Sequence, residues 1–333
     1  MSAAFSAFMH ELIDYAGLFP PAALDLDSAI GNYAHYRGEP EAWMLGRFII
    51  PADRLPELAP YDPKRVRPGA RPMRYALLVA GGVTAAESLD RLRSETDVAA
   101  DFLAEHAGTA RVEVIETRLP DDLAAAADRE ATTAYLIDFC RLLVDTSFAG
   151  VDLFVEAMPP GGTADTTGDD AAIAALTTVA DGDAVGATQS VRRLGYKLRS
   201  GGVVPDAFPP CERVAHVLIA CRDHDRPLKF TAGLHHPVRH RADDPDVMMH
   251  GFLNVFGAGL LAHGLGLAED ETVAIIADTE ATSFRFVSAD FSWRDRSLPA
   301  ADVQRLRSRY LIGFGSCSFD EPREDLTRLR LHG

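Results

Sequence analysis

The sequence predicts an α/β chain folded as a (β/α)8 barrel of the TIM type, with an extra N-terminal helix and a C-terminal tail. Three observations lead there. Eight short runs rich in β-branched and aromatic residues recur along the 333 residues. Longer Ala/Leu-rich segments of helical period fall between them. No G-x-G-x-x-G turn follows any of the runs, so the main rival, a doubly wound sheet, lacks its usual signature. No repeat or Ser-rich linker divides the chain, and 1–333 reads as one barrel domain.

A leading helix within 1–12 opens the chain. The predicted strands follow as IDYAGLF (13–19), LGRFIIP (45–51), RYALLVA (74–80), RVEVIET (111–117), VDLFVEA (151–157), LGYKLRS (194–200), PLKFTAG (227–233) and FRFVSAD (284–290). Amphipathic segments at 85–106, 121–147 and 299–312 predict helices, as do the weaker 169–193 and 270–282. Residues 210–224 begin at Pro210, which suits a helix start, and 245–266 is strongly apolar. The segment 314–333 is the predicted tail. PPGGTADTTGDD (159–170) follows strand five, where a barrel carries a βα loop over its site, so a lid is one reading of it.

Charge and cysteine content exclude several classes. A net charge of −16 argues against a nucleic-acid or anionic-membrane partner. The locally basic stretch 63–74 (PKRVRPGARPMR) reads as a solvated loop. Cys140, Cys211, Cys221 and Cys317 form no CxxC, so neither a zinc finger nor a disulfide framework is indicated. The first residues lack a basic n-region, and no apolar stretch is long enough to span a bilayer. A cytoplasmic protein acting on a small molecule, with a homo-oligomer as an option, is the expectation.

Lysine is the informative residue. Only Lys64, Lys197 and Lys229 occur, against 30 arginines. Arginine never loses its proton, whereas a buried lysine can, and its free amine is a nucleophile or a base. Lys64 sits in the basic loop, but Lys197 and Lys229 sit inside apolar strands six and seven. Residues two apart on a strand share a face. Glu116 with Arg118, Asp152 with Glu156, Lys197 with Arg199, Lys229 with Thr231, and Ser288 with Asp290 therefore form candidate inward pairs, joined by Asp14 near strand one. Buried charges are costly unless paired, so a ring of alternating sign is expected. It serves either as a structural layer or as a site. Two ammonium groups on neighbouring strands lower each other's pKa. A lysine so activated attacks a carbonyl to form a Schiff base, with Glu116 or Glu156 shuttling protons.

The run K-L-R-S-G-G from Lys197, a Pro-led helix containing ERVAHVLIAC (212–221), and K-F-T-A-G from Lys229 resemble class I aldolases of the deoxyribose-phosphate aldolase type. The two lysines stand 32 residues apart, close to that family's interval. The resemblance covers about 45 residues. It implies Lys197 as the Schiff-base residue and Lys229 as its pKa-lowering neighbour, with no cofactor. Its acidic partner here would be Glu116, where the family has an aspartate. The strand-eight end VSADFSW (287–293) lacks the family's Gly-Ala-Ser phosphate turn. The segments DYAGLFPPA (14–22) and FGSCSFDEP (314–322) resemble set pieces of a bacterial protein family, from which no activity carries over.

Two other readings stand beside the aldolase. His235 and His236 directly follow strand seven, and His235 with Glu116, Glu156 and Asp290 offers the imidazole–carboxylate donors that suit Zn, Mn or Fe. His250 and His263 read as surface or cap residues of an apolar helix. Alternatively, Lys197, Arg199 and Lys229 hold an anionic metabolite as fixed charges without catalysis. Arg118, Arg199, Thr231, His235, His236 and Asp290 are the expected substrate-binding set.

Overall fold

A computed structural model of the chain describes residues 2–61, 71–144, 146–158, 163–182, 191–243, 246–287 and 289–331. Lys64, Ser288 and residues 159–162 of the expected lid lie outside the described residues. The strands are β1 Ile13–Tyr15, β2 Leu45–Pro51, β3 Met73–Val79, β4 Ala110–Arg118, β5 Val151–Glu156, β6 Val191–Arg199, β7 Leu228–Thr231, β8 His240–Asp243, β9 Asp246–Met249, β10 Phe284–Val287, β11 Asp290–Trp293, β12 Arg296–Pro299 and β13 Leu311–Ser316. Eight of them close the expected (β/α)8 barrel in the order β1-β13-β7-β6-β5-β4-β3-β2. Among the described residues, no helix is long and apolar enough to cross a membrane.

The eighth barrel strand differs from the expectation. It is β13, within the segment read as the end of a helix and the start of a tail. FRFVSAD instead supplies β10 of a separate antiparallel sheet, β10-β11-β12. Burial explains the difference. Phe284 and Phe286 are buried while Arg285 and Val287 are exposed, the alternation of a strand covered on one face only. β13 is buried at all six positions, as a barrel strand flanked by helices must be. The tail is likewise a strand followed by the helix Asp320–Arg328.

Helix boundaries follow local chemistry. Thr84 accepts a hydrogen bond from the Glu87 amide at 3.2 Å and starts the helix Ala85–Glu105. Asp25 does the same for Leu26–Tyr36, a helix not anticipated, through the Ser28 amide at 2.8 Å. Pro210 precedes Cys211–Asp223 as expected. The segment 121–147 is two helices, Asp121–Ala126 and Arg129–Val144, because Ala127 adopts a left-handed φ of 47°. The helix Phe252–Leu265 starts later than expected, since Asp246–Met249 pairs as β9 in a hairpin with β8.

The chain divides into two compact units: residues 1–46, 161–166 and 198–333 form the first, and 47–160 and 167–197 the second. In the first unit, Phe5 and Phe8 of the leading helix Ala3–Met9 pack on Phe286 with ring centroids 5.2 and 5.3 Å apart. Arg307 then caps that helix, donating to Phe8 O at 2.8 Å and His10 O at 3.1 Å. In the second unit, the helices Ala85–Glu105 and Arg129–Val144 are tied by a buried Ser88–Tyr135 hydroxyl pair at 2.8 Å.

The glycines after the two strand lysines have a packing role in the first unit. The Ser200 amide donates to Thr231 O at 2.8 Å. Gly233 sits at φ +73°, and a Cβ there would meet Gly201 Cα and Ser200 O at 2.8 Å. The S-G-G and T-A-G ends thus allow two backbones to approach closely. Gly233→Ala should therefore destabilise the protein by about 2 kcal/mol or more. Gly31→Ala, on an exposed helical position with nothing near its Cβ, should stabilise it by about 0.5–1 kcal/mol. Urea unfolding of both variants checks this, and equal effects would contradict it.

Candidate active site

Glu116, Glu156 and Lys197 meet in the second unit. In register, Glu116 lies opposite Phe154, Arg118 opposite Glu156, and Phe154 opposite Gly195. Residues paired across parallel strands share a face, as do residues two apart. Glu116, Glu156 and Lys197 therefore project to one side of β4, β5 and β6. Lys197 Nζ lies 2.8 Å from Glu116 Oε2 and 3.4 Å from Glu156 Oε2. The side chains are 6 %, 1 % and 3 % exposed, so all three charged groups have left water. Gly195, two residues before Lys197, adds no side chain to that face.

The phase of β6 is held from its other side. Tyr196 is fully buried and bonds to Asp169 in the helix Thr167–Asp181, itself 1 % exposed. A one-residue slip of β6 would break that bond and turn Lys197 outward.

The expected single ring of charge is, within the second unit, two layers. Near the strand starts, Glu113 is held by Arg47 at 2.9 Å, by Arg74 at 2.8 Å, and by Arg111. Asp152, expected beside Glu156, is taken instead by Arg192 at 2.7 Å and Arg193 at 3.1 Å. It stands four residues before Glu156, about 13 Å along the strand. Glu113 and Arg192 are the extra residues of β-bulges, which re-aim side chains. Burial raises the Glu113 pKa, but hydrogen bonding to Arg74 and the charges of Arg47 and Arg74 outweigh it, bringing it to about 2.

In the first unit, Lys229 Nζ lies 2.8 Å from Asp14 Oδ2, both side chains 1 % exposed. β13 runs between β7 and β1. Gly313 is the register partner of Lys229, and Gly315 that of both Thr231 and Asp14. A Cβ on Gly313 would come within 2.8 Å of Leu12 O. Gly46 leaves room for Asp14, since a Cβ there would come within 2.0 Å of Asp14 Oδ1. The Tyr33 hydroxyl fixes that backbone by donating to Gly46 O at 2.9 Å.

The remaining predicted site residues divide. Arg118 is exposed and 3.4 Å from Asp121 at the end of β4. Arg199 and Thr231 are half-buried. Asp290 is a correction: it is exposed on β11 of the three-stranded sheet, because FRFVSAD is not a barrel strand. His236 bonds through Nδ1 to Asp325 and packs on His240 with ring centroids 4.3 Å apart. His250 is also corrected. It is fully buried and donates from Nε2 to Pro209 O at 2.7 Å, while Arg239 donates to its Nδ1 at 3.0 Å. Burial brings its pKa down to about 4 and keeps it neutral.

His235 engages residues that sequence reasoning missed. Its Nδ1 lies 3.7 Å from Cys317 Sγ and 3.4 Å from Glu321 Oε2. Burial opposes its protonation, but hydrogen bonding to Cys317 and Glu321 prevails and carries its pKa to about 9. Among the described residues, no group of three or more His, Cys, Asp or Glu side chains is placed to hold a metal ion. The available signal was FGSCSFDEP, which ends an apolar run and brings Cys317 and Glu321 to a barrel-strand terminus.

The arginine-held carboxylate makes a pH prediction. The Glu113 pKa is lower in the folded chain, near 2, than its ordinary 4.5, so its contribution is present above 4.5 and lost as pH falls toward 2. Glu113→Gln should remove up to about 3 kcal/mol at neutral pH and flatten the acid limb of stability. Identical acid-unfolding curves for the two proteins would contradict the assignment.

No protein-family model matches the chain, and no curated protein matches it.

Proposed function

We propose that this protein is a Schiff-base-forming lyase of the aldolase type, acting on a small carbonyl compound with Lys197 as the amine nucleophile. One observation carries the reading: a buried ammonium group in contact with two buried carboxylates, at 2.8 and 3.4 Å. Imine formation needs the amine to give up a proton and a proton to reach the departing hydroxyl. Glu116, the nearer carboxylate, takes the proton from Lys197 Nζ. The amine lone pair then adds to the carbonyl carbon, and Glu116 returns its proton to the oxygen. Glu156 takes a second proton from the carbinolamine nitrogen and delivers it to the hydroxyl, which leaves as water. The iminium so formed accepts the electron pair of a neighbouring carbon–carbon bond as it breaks, or directs its formation in reverse.

Burial serves this chemistry, since water excluded from the imine cannot hydrolyse it early. Arg118 stands two residues beyond Glu116 on the same face and is exposed. In this reading it meets an anionic group on the substrate. A lysine used only as a fixed charge would be replaceable by arginine, which makes the better clamp for carboxylates.

Reduction with borohydride in the presence of pyruvate, acetaldehyde or glyceraldehyde tests the proposal. A mass-mapped adduct is expected on Lys197, absent in Lys197→Arg. Glu116→Gln should slow its formation by about 10²–10⁴-fold. No adduct on Lys197 with any of the three carbonyl compounds would overturn the reading.

A further inference from the structure

A second set of reactive side chains gathers in the first unit. Cys317 follows β13 directly, His235 lies four residues past the end of β7, and Glu321 opens the helix Asp320–Arg328. β7 and β13 are parallel neighbours, so these positions belong to the C-terminal strand ends, where barrels of this class keep their chemistry. Cys317 Sγ and Glu321 Oε2 both approach His235 Nδ1, at 3.7 and 3.4 Å. Cys317 is 8 % exposed and the His235 side chain 12 %, while Glu321 reaches solvent. Gly315, two residues before Cys317, leaves that stretch of β13 without a side chain.

The contrast with the other cysteines is chemical. Burial pushes the Cys140 thiol up to about 12 and raises Cys211. Such thiols behave as small apolar groups. Cys317 and Glu321 both meet His235 at Nδ1, so the protonated ring faces a sulfur and a carboxylate together. A cysteine beside an imidazolium has the electropositive setting of a reactive thiol.

We propose that Cys317, His235 and Glu321 form a nucleophilic centre that adds reversibly to small aldehydes. In the step, the proton shared by Cys317 and His235 rests on the imidazole, and a sulfur lone pair forms a bond to the carbonyl carbon. The carbonyl π pair moves to oxygen, which takes that proton from His235. The product is a thiohemiacetal. Thiol and aldehyde account for every atom, nothing is oxidised, and no group leaves. Glu321 balances the charge of the imidazolium. The chemistry needs one proton carrier and no leaving group, which matches a single histidine. It does not depend on imine formation at Lys197.

The test is alkylation of the folded full-length chain by limiting iodoacetamide, with peptide mapping to follow each cysteine. Cys317 should react at least about tenfold faster than Cys140, Cys211 and Cys221. Saturating acetaldehyde should slow Cys317 alkylation several-fold, and should do so equally in Lys197→Arg, which cannot form the imine at that position. His235→Asn or His235→Gln, whichever keeps the wild-type circular dichroism, should slow it at least about tenfold. If neither variant folds, the aldehyde protection alone decides. Cys317 reacting no faster than the other cysteines would overturn the proposal. So would the absence of aldehyde protection, or protection that vanishes in Lys197→Arg. Failure of borohydride trapping at Lys197 with protection of Cys317 intact would sink only the imine reading.

Discussion

Burying a charge costs several kcal/mol unless a partner of opposite sign goes with it. That constraint organises both units of this chain. In the second, Lys197 goes inside in contact with Glu116 and Glu156, and each side of that contact offsets part of the other's burial cost. Around this mutual dependence lie the features that keep the strands in phase: the Tyr196–Asp169 bond behind β6 and the glycine beside Phe154. In the first unit the same logic joins Lys229 to Asp14, and Gly46 clears the space beside that carboxylate.

The chain divides labour between its two kinds of cation. Arginines hold Glu113 and Asp152, where planar guanidinium groups grip carboxylates in fixed, partly bidentate geometry. The two strand lysines are both buried, Lys229 almost completely. An ammonium is compact, carries three donors without a preferred plane, and can give up its proton. Arginine suits a permanent structural charge, and lysine suits a place where a proton must move. Two carboxylates around one ammonium leave a proton acceptor in place after the ion pair is made, which a simple structural pair does not require.

Much of this was legible in the sequence. Strands three to seven announce themselves as dense apolar runs because barrel strands are buried on both faces, and the charges inside them mark the site. Two-residue periodicity put Glu116, Glu156 and Lys197 among the inward-facing candidates. The failures have equally physical causes. β13 carries Gly313 and Gly315 where a strong strand signal would need branched residues. FRFVSAD has better strand chemistry, but its alternation belongs to a sheet covered on one side, and Asp290 was misplaced with it. Asp152 was assigned by periodicity to the lysine layer. Strand alternation fixes the face and not the height, and Arg192 and Arg193 claim it one layer below. Cys317 and Glu321 were invisible because their partner His235 is more than 80 residues away and pairing across closure carries no local pattern.

The central claim is that Lys197 and Glu116 are energetically bound to one another in the interior. A double-mutant cycle with Lys197→Met and Glu116→Gln, read by urea unfolding, tests it most directly. Lys197→Met should cost about 3–5 kcal/mol by removing the cation from two buried carboxylates, and Glu116→Gln less, since Glu156 still faces the ammonium. The double variant should cost less than their sum by about 2 kcal/mol or more. Additive losses would contradict the account, because they would mean that the two groups do not depend on each other.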